Sequence, residues 1–171
     1  MAHRHLSRSI VLQSLFEWDF RKLPDEEMAN VVTRDISEYG PGLEDDAFIL
    51  ALATDVLRHR SVVDDIITKA APDWPLDKIN VVDRNILRMG LTELLFGDRT
   101  QVPPKVAINE SIELAKAFGG ENSSKFINGV LGAVYKEIGE PGKDEVSKKK
   151  KDEPVDIESL PIEKKVGAVV Y

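Results

Sequence analysis

From Leu6 to Ile138, apolar residues return every three or four positions and almost nowhere every second one. A helix needs that period to hold its apolar side chains on one face, so the chain is confined to helical architectures. Between about Leu6 and Lys22, Val11, Leu15 and Trp18 share a face, with Leu12, Phe16 and Phe20 on an adjoining one. Pro24 closes this segment, and a second helix is predicted to start at Asp25 as its cap and to end before Gly40-Pro41-Gly42.

A third region, residues 44–71, offers Phe48, Leu52, Val56, Val63, Ile66 and Ile67 to a core, with a break expected at Ser61. After Trp74-Pro75, the stretch LDKINVVDRNILRMGLTELLF puts Ile79, Val82, Ile86 and Met89 on one face and Asp77, Asp83, Arg84 and Arg88 largely on others. Pro103-Pro104 opens the next helix, since proline at the first helical position gives up no intrahelical bond. Its stripe is Ile108, Ile112 and Ala115, and Gly119-Gly120 ends it; the last helix runs from about Asn122 to Ile138. The expected fold is therefore all-α: a bundle of six or seven helices over residues 1–140, in two three-to-four-helix subdomains, residues 1–71 and 76–139, that share a core. Residues 141–171 read as a disordered tail. SKKKKDEP is a charged linker, and KVGAVVY, the one stretch with alternating character, either adds a strand to a partner or packs on the bundle.

Charge and composition narrow the function. The formal net charge is −7, and residues 143–171 hold as many lysines as acids, so the folded part carries the whole excess. Nucleic-acid affinity rests largely on cations that neutralise phosphates, so an acidic chain needs a local basic patch or a basic partner to grip RNA. There is no cysteine, which removes disulfides, thiolate zinc sites and cysteine nucleophiles. No apolar run is long enough to span a membrane, and the polar start MAHRHLSRS lacks a signal-peptide core, so a cytoplasmic protein is expected. His3, His5 and His59 are scattered, and no P-loop or glycine fingerprint is present; neither catalysis, metal nor cofactor is expected. The adjacent carboxylates Asp45-Asp46 and Asp64-Asp65 read as solvated faces.

The stretch VPPKVAINESIELAKAFGGENSSKFINGVL is a long compound pattern. It closely resembles the signature of the NusB family of bacterial transcription antitermination factors, and VVDRNILRMGLTELL and LQSLFEW resemble the same family in the same order, over roughly residues 4–138. The resemblance implies an all-helical fold without enzymatic activity. It implies binding to the boxA element of nascent RNA, usually as a heterodimer with NusE, a small-subunit ribosomal protein. It further implies a place in the RNA polymerase elongation complex with NusA and NusG, serving ribosomal RNA operons and ribosome biogenesis. Some relatives self-associate through the NusE surface, so a homodimer is also implied. RNA cytosine methyltransferases can carry a similar domain, but they need a catalytic cysteine that this chain lacks. The alternative is a protein-interaction or ribosome-assembly module with little RNA reading of its own.

Carried onto this sequence, the family's N-terminal basic segment corresponds to Arg4, His5 and Arg8, where histidines stand in for some of the usual arginines. That substitution either weakens RNA binding or makes it strengthen as the histidines gain charge at lower pH. Phe126 lies about a quarter-turn off the core direction of its helix, where it either shields the edge of the core or offers a face to a base. Asn122, Ser123 and Lys125 add donors near the positive end of the helix dipole, or simply cap it. The family often has an acid where Asn122 stands, so a repulsive charge near phosphate is absent. Asn128 and Gly129 read as structural, with Gly129 admitting a close helix and Asn128 bonding a neighbouring backbone; Asn109 and Glu110 read likewise. The family's NusE surface maps onto Phe16, Phe20, Asp77 and Asp83, which otherwise are core phenylalanines and solvated acids.

Overall fold

The computed structural model describes residues 2–139, and the expectations for the tail, including SKKKKDEP and KVGAVVY, lie outside the described residues. Among the described residues there are six α-helices: α1 (Ala2–Phe20), α2 (Met28–Tyr39), α3 (Asp46–Ala70), α4 (Val81–Phe96), α5 (Pro104–Phe118) and α6 (Ser123–Glu137). Among the described residues there is no strand. One apolar core runs through both halves of the chain, from Val11 and Leu15 on α1 to Leu131 and Val134 on α6.

Helix α1 ends in a turn that satisfies its last carbonyls. Lys22 takes a positive φ of 54°, the Lys22 amide donates to the Asp19 carbonyl at 3.2 Å, and the Leu23 amide donates to the Trp18 carbonyl at 2.9 Å. This is a Schellman arrangement with lysine where glycine is usual. Asp25 does not cap α2. It opens a 3₁₀ turn, Asp25–Glu27, before α2 begins at Met28, and its carboxylate instead accepts from Trp18 Nε1 at 3.2 Å. Nor does α3 break at Ser61. Its buried series Ile49, Leu52, Ala53, Val56, Val63, Ile66, Ile67 and Ala70 keeps one helical face throughout, and Ser61 sits on the exposed side. Phe48 lies at the edge of this face, half-buried, while its neighbour Ile49 enters the core.

Helix α4 departs most from its sequence pattern. It packs against α1, α3, α5 and α6, and residues Asn85 to Leu95 are all buried. A helix enclosed on every side has no polar face, so each of its charged groups must find an internal partner. Arg88, expected away from the core, donates from Nε and Nη2 to both Asp64 oxygens at 2.8 and 3.0 Å, and from Nη1 to Asp19 at 2.9 Å. Arg84 grips Asp19 with two nitrogens at 2.8 and 2.9 Å, and Asn85 Nδ2 donates to the same carboxylate at 2.9 Å. Asp64 is thus a fixed partner rather than a solvated acid.

Close helix approach occurs at Gly90, not at Gly129. A Cβ on Gly90 would lie 2.5 Å from Ser111 Oγ on α5 and 3.0 Å from Leu131 Cδ1 on α6, whereas one on Gly129 would meet nothing within 4 Å. Asn128 is likewise exposed rather than bonded into a helix contact. Gly90→Ala is expected to cost about 1–3 kcal/mol, because the added methyl must push apart two packed helices. Gly129→Ala should be neutral or slightly stabilising, since alanine favours the helix. Urea unfolding of the two variants side by side measures the contrast.

Candidate nucleic-acid and partner interface

At one end of the bundle, α6 starts beside the linker between α3 and α4. Gly119 and Gly120 leave α5, the Gly120 amide donates to Ser123 Oγ at 2.9 Å, and Ser123 is thereby buried at the first position of α6. Asn122 makes no side-chain cap bond and is exposed, and the Ser123 hydroxyl reaches back to the Gly120 amide rather than to an amide of α6. Phe126 is half-buried against the core, and Lys125 is exposed beside it. Facing them is Trp74, held between Asp73 and Pro75 and 55% exposed. Trp74 and Phe126 together line two adjoining hollows: one also contains Lys78, Asn80, Asp83 and Asn122, the other Asp73, Lys125 and Gly129. Aromatic faces, carboxamides and two exposed lysines are the groups with which proteins hold single-stranded RNA.

The surface continues without interruption into an apolar patch. Phe20 is 66% exposed and its ring stacks on that of Phe16, with centroids 5.6 Å apart and planes 8° from parallel. With the exposed Phe118, they line a further hollow that shares Asn80 and Gly120 with the first. Exposed aromatics clustered in this way mark an interaction surface. Asp77 is exposed nearby, in a 3₁₀ turn spanning Leu76–Lys78. Asp83 is not: it is 6% exposed, its amide donates to Asn80 Oδ1 at 2.8 Å, and its Oδ2 accepts from Asn80 Nδ2 at 3.1 Å. As part of the cap of α4, it does not face a partner as an open acid.

The N-terminal basic segment lies at the opposite end. The rise along α1 from Arg4 to Phe20 is about 24 Å at ~1.5 Å per residue. Arg8 is 3% exposed, and its Nε and Nη2 each donate to a Glu93 oxygen at 2.9 Å. Burial disfavours its charge, but the bond and charge of Glu93, with Glu110 and Asp45 nearby, outweigh that and raise its pKa above the ordinary value. Arg8 is therefore spent on α4, not open to a phosphate. Arg4 donates to Asp45 at 3.0 Å and lies over the Phe48 ring at 3.9 Å, and Asp45 also accepts from Ser7 at 2.6 Å. His5 Nδ1 stands 3.4 Å from Glu110, while Asn109 is exposed. The seven residues expected to meet RNA thus fall into two groups: Asn122, Lys125 and Phe126 with the enclosed Ser123, and a distant, acid-paired trio. Trp74, Lys78, Asn80 and Phe118 went unnoticed in the sequence, although an aromatic between an acid and a proline in a connecting segment was a signal for Trp74.

A helical bundle whose buried arginines pair with acids of other helices, and whose open surface joins an aromatic, amide-rich edge to an apolar patch, is built as a macromolecule-binding module. The family model described as "NusB family" matches residues 5–136. A transcription antitermination protein NusB from Dehalococcoides mccartyi is 39% identical over 140 residues, covering 82% of this chain and 94% of the relative. The chain belongs to the NusB family. Among solved structures, a T. maritima NusB superposes with a TM-score of 0.68 at 34% identity, over 78% of this chain and 91% of that one. A chain in a structure of antitermination factors NusB and NusE in complex with dsRNA superposes with a TM-score of 0.69 at 28% identity, over 80% and 98%. Among the described residues, no helix is long and apolar enough to cross a membrane.

Proposed function

We propose that this protein is a transcription antitermination factor that binds the boxA element of nascent RNA as a heterodimer with NusE. It enters the elongating RNA polymerase complex with NusA and NusG, supports transcription of ribosomal RNA operons and ribosome biogenesis, acts by binding rather than by catalysis, and works in the cytoplasm. One observation carries the reading: the Trp74–Phe126 edge and the Phe16–Phe20–Phe118 patch are one surface, joined through Asn80 and Gly120. An RNA strand on the edge therefore passes directly against a protein seated on the patch. A basic ribosomal partner supplies the phosphate charge that a chain of net −7 lacks, and exposed Asp77 contributes to its steering. In the free protein the patch is available to a second copy, giving a homodimer. The similarity to the NusB chain solved with NusE and dsRNA supports this assignment of partners.

A second reading, an interaction or ribosome-assembly module with little RNA reading, draws on the pairing of Arg4 with Asp45 and Arg8 with Glu93. The two separate in one titration of boxA RNA by fluorescence anisotropy, with and without NusE. Under the antitermination reading NusE tightens RNA binding, and Phe126→Ala weakens it about tenfold, as expected for one lost base stack. A Phe126→Ala protein of unchanged helical content that binds boxA as tightly as the parent removes the stacking role. Formation of the heterodimer without any gain in RNA affinity favours the module.

A further inference from the structure

We propose that residues 164–171, KKVGAVVY, return to the bundle and lie in a groove between α3 and the loop that follows α4. That segment is outside the described residues, and the inference is independent of the RNA reading. The groove lies at the end of the molecule away from Trp74 and Phe126. Its floor is apolar: Phe48 and Leu52 of α3, Phe96 of α4 and Val102 of the loop line a hollow of about 450 Å³. Phe96 is held by stacking on His59, with ring centroids 3.8 Å apart, so this part of the floor is already in place. Ala51 is exposed and carries only a methyl group, which leaves a lane along α3 open to an incoming chain. A hollow of this size is in the range, roughly 300–1,000 Å³, of pockets that take a ligand or several side chains.

Two observations choose the occupant, and the first is direction. Asn80 and Asp83 at the start of α4 share a hollow with Asn122 and Ser123 at the start of α6, and Gly90 midway along α4 meets Leu131 midway along α6. The two helices therefore run parallel, and α6 ends at Glu137 on the same end of the bundle as Phe96. The chain is thus delivered to the end that carries the groove. From Glu137 to Lys164 it has 27 residues, enough to span up to about 90 Å, against about 38 Å for the whole of α3. The second observation is charge. Asp98 stands at the rim, held by the Thr100 hydroxyl and amide at 2.6 and 2.9 Å. Asp55, also at the rim, pairs with Arg58 at 3.0 Å, but both side chains are exposed, and such a pair is weak enough to be exchanged. Arg4, the only cation among the described residues that line the groove, is already bonded to Asp45 at 3.0 Å. An apolar floor under an acidic rim is complementary to an apolar run led by cations, which is what residues 166–171 after Lys164 and Lys165 provide. SKKKKDEP has the cations but no apolar run for the floor.

The chain has no cysteine, so a pair can be introduced into the full-length protein and its closure measured against a glutathione buffer. Ala51→Cys with Val169→Cys places one thiol in the groove and one in the segment. Ala29→Cys with Val169→Cys is the comparison, since Ala29 is exposed on the first turn of α2, beside the far end of α1. A segment without a preferred place would reach both positions alike. Docking raises the effective concentration at Ala51, so that pair should close about tenfold more favourably than the Ala29 pair, within single chains and at every protein concentration. Lys164→Glu with Lys165→Glu should remove most of the excess, and Asp55→Lys added to them should restore part of it. Equal closure of the two pairs overturns the proposal. So does closure between chains, seen as a disulfide-linked dimer, which would place a second copy's segment in the groove. An excess that survives both lysine reversals overturns the pairing of the acidic rim with Lys164 and Lys165.

Discussion

Asp19→Ala should lower the free energy of unfolding by about 3–5 kcal/mol, a large share of the stability of a domain this size. Asp19 is the acceptor on which three α4 side chains converge: Arg84 with two bonds, Arg88 with one and Asn85 with one. Only 12% of the Arg84 side chain and 7% of the Arg88 side chain are exposed. Removing the carboxylate strands two guanidinium groups, of which Arg88 keeps Asp64 and Arg84 keeps only the Leu76 and Ile79 carbonyls. Urea unfolding followed by helical circular dichroism measures the loss, and a change below about 1 kcal/mol would show that water enters and solvates the cluster. The same hub gives a pH dependence. Burial alone would raise the Asp19 pKa, but hydrogen bonds from Arg84 and Asn85 and the charges of Arg88 and Arg84 bring it below its ordinary 3.8. Its folded pKa is therefore depressed, so its contribution is complete above 3.8 and is lost as pH falls below that value through the folded pKa. Asp19→Asn should flatten that part of the acid-unfolding curve.

The apolar stripes were legible because a helix reports its buried face at a fixed period. Val11, Leu15 and Trp18, then Ala115 and Ile108, then Ile127, Leu131 and Val134 are buried where their spacing placed them. What spacing cannot report is a polar residue with a distant partner. Asp19 lies 65 positions before Arg84 and Arg8 lies 85 before Glu93, so each looks like an ordinary surface charge until the helices are packed. Glycine was ambiguous for the same reason: Gly90 and Gly129 sit alike in helical patterns, and only the neighbours Ser111 and Leu131 separate a required glycine from a tolerated one. The candidate site was half legible. Phe20 and Phe126 betray themselves by standing off the core direction, but Trp74 lies outside any helix and has no face to violate. Its role depends on Phe126 being folded against it, 52 residues later in the chain.

Arg8→Ala should also destabilise the bundle by about 3–5 kcal/mol, since it leaves the Glu93 carboxylate buried and without its paired charge. This bears directly on function, because a weakened protein also loses apparent RNA affinity, and the single variant would imitate a loss of RNA contact. The double variant Arg8→Met, Glu93→Leu removes both charges together and fills their space with apolar side chains. A buried ion pair replaced in this way is commonly neutral or stabilising, so the double variant should regain most of the lost stability. Glu110, 4.0 Å from Arg8, is partly exposed and keeps His5 beside it. With the fold restored, RNA affinity and its dependence on salt should match the parent if Arg8 serves only to tie α1 to α4. A folded double variant that binds boxA more weakly, with a shallower salt slope, would instead mean that Arg8 releases Glu93 and meets a phosphate when RNA arrives. Thermal unfolding and anisotropy at two salt concentrations therefore decide whether Arg8 faces inward in function as it does in the fold.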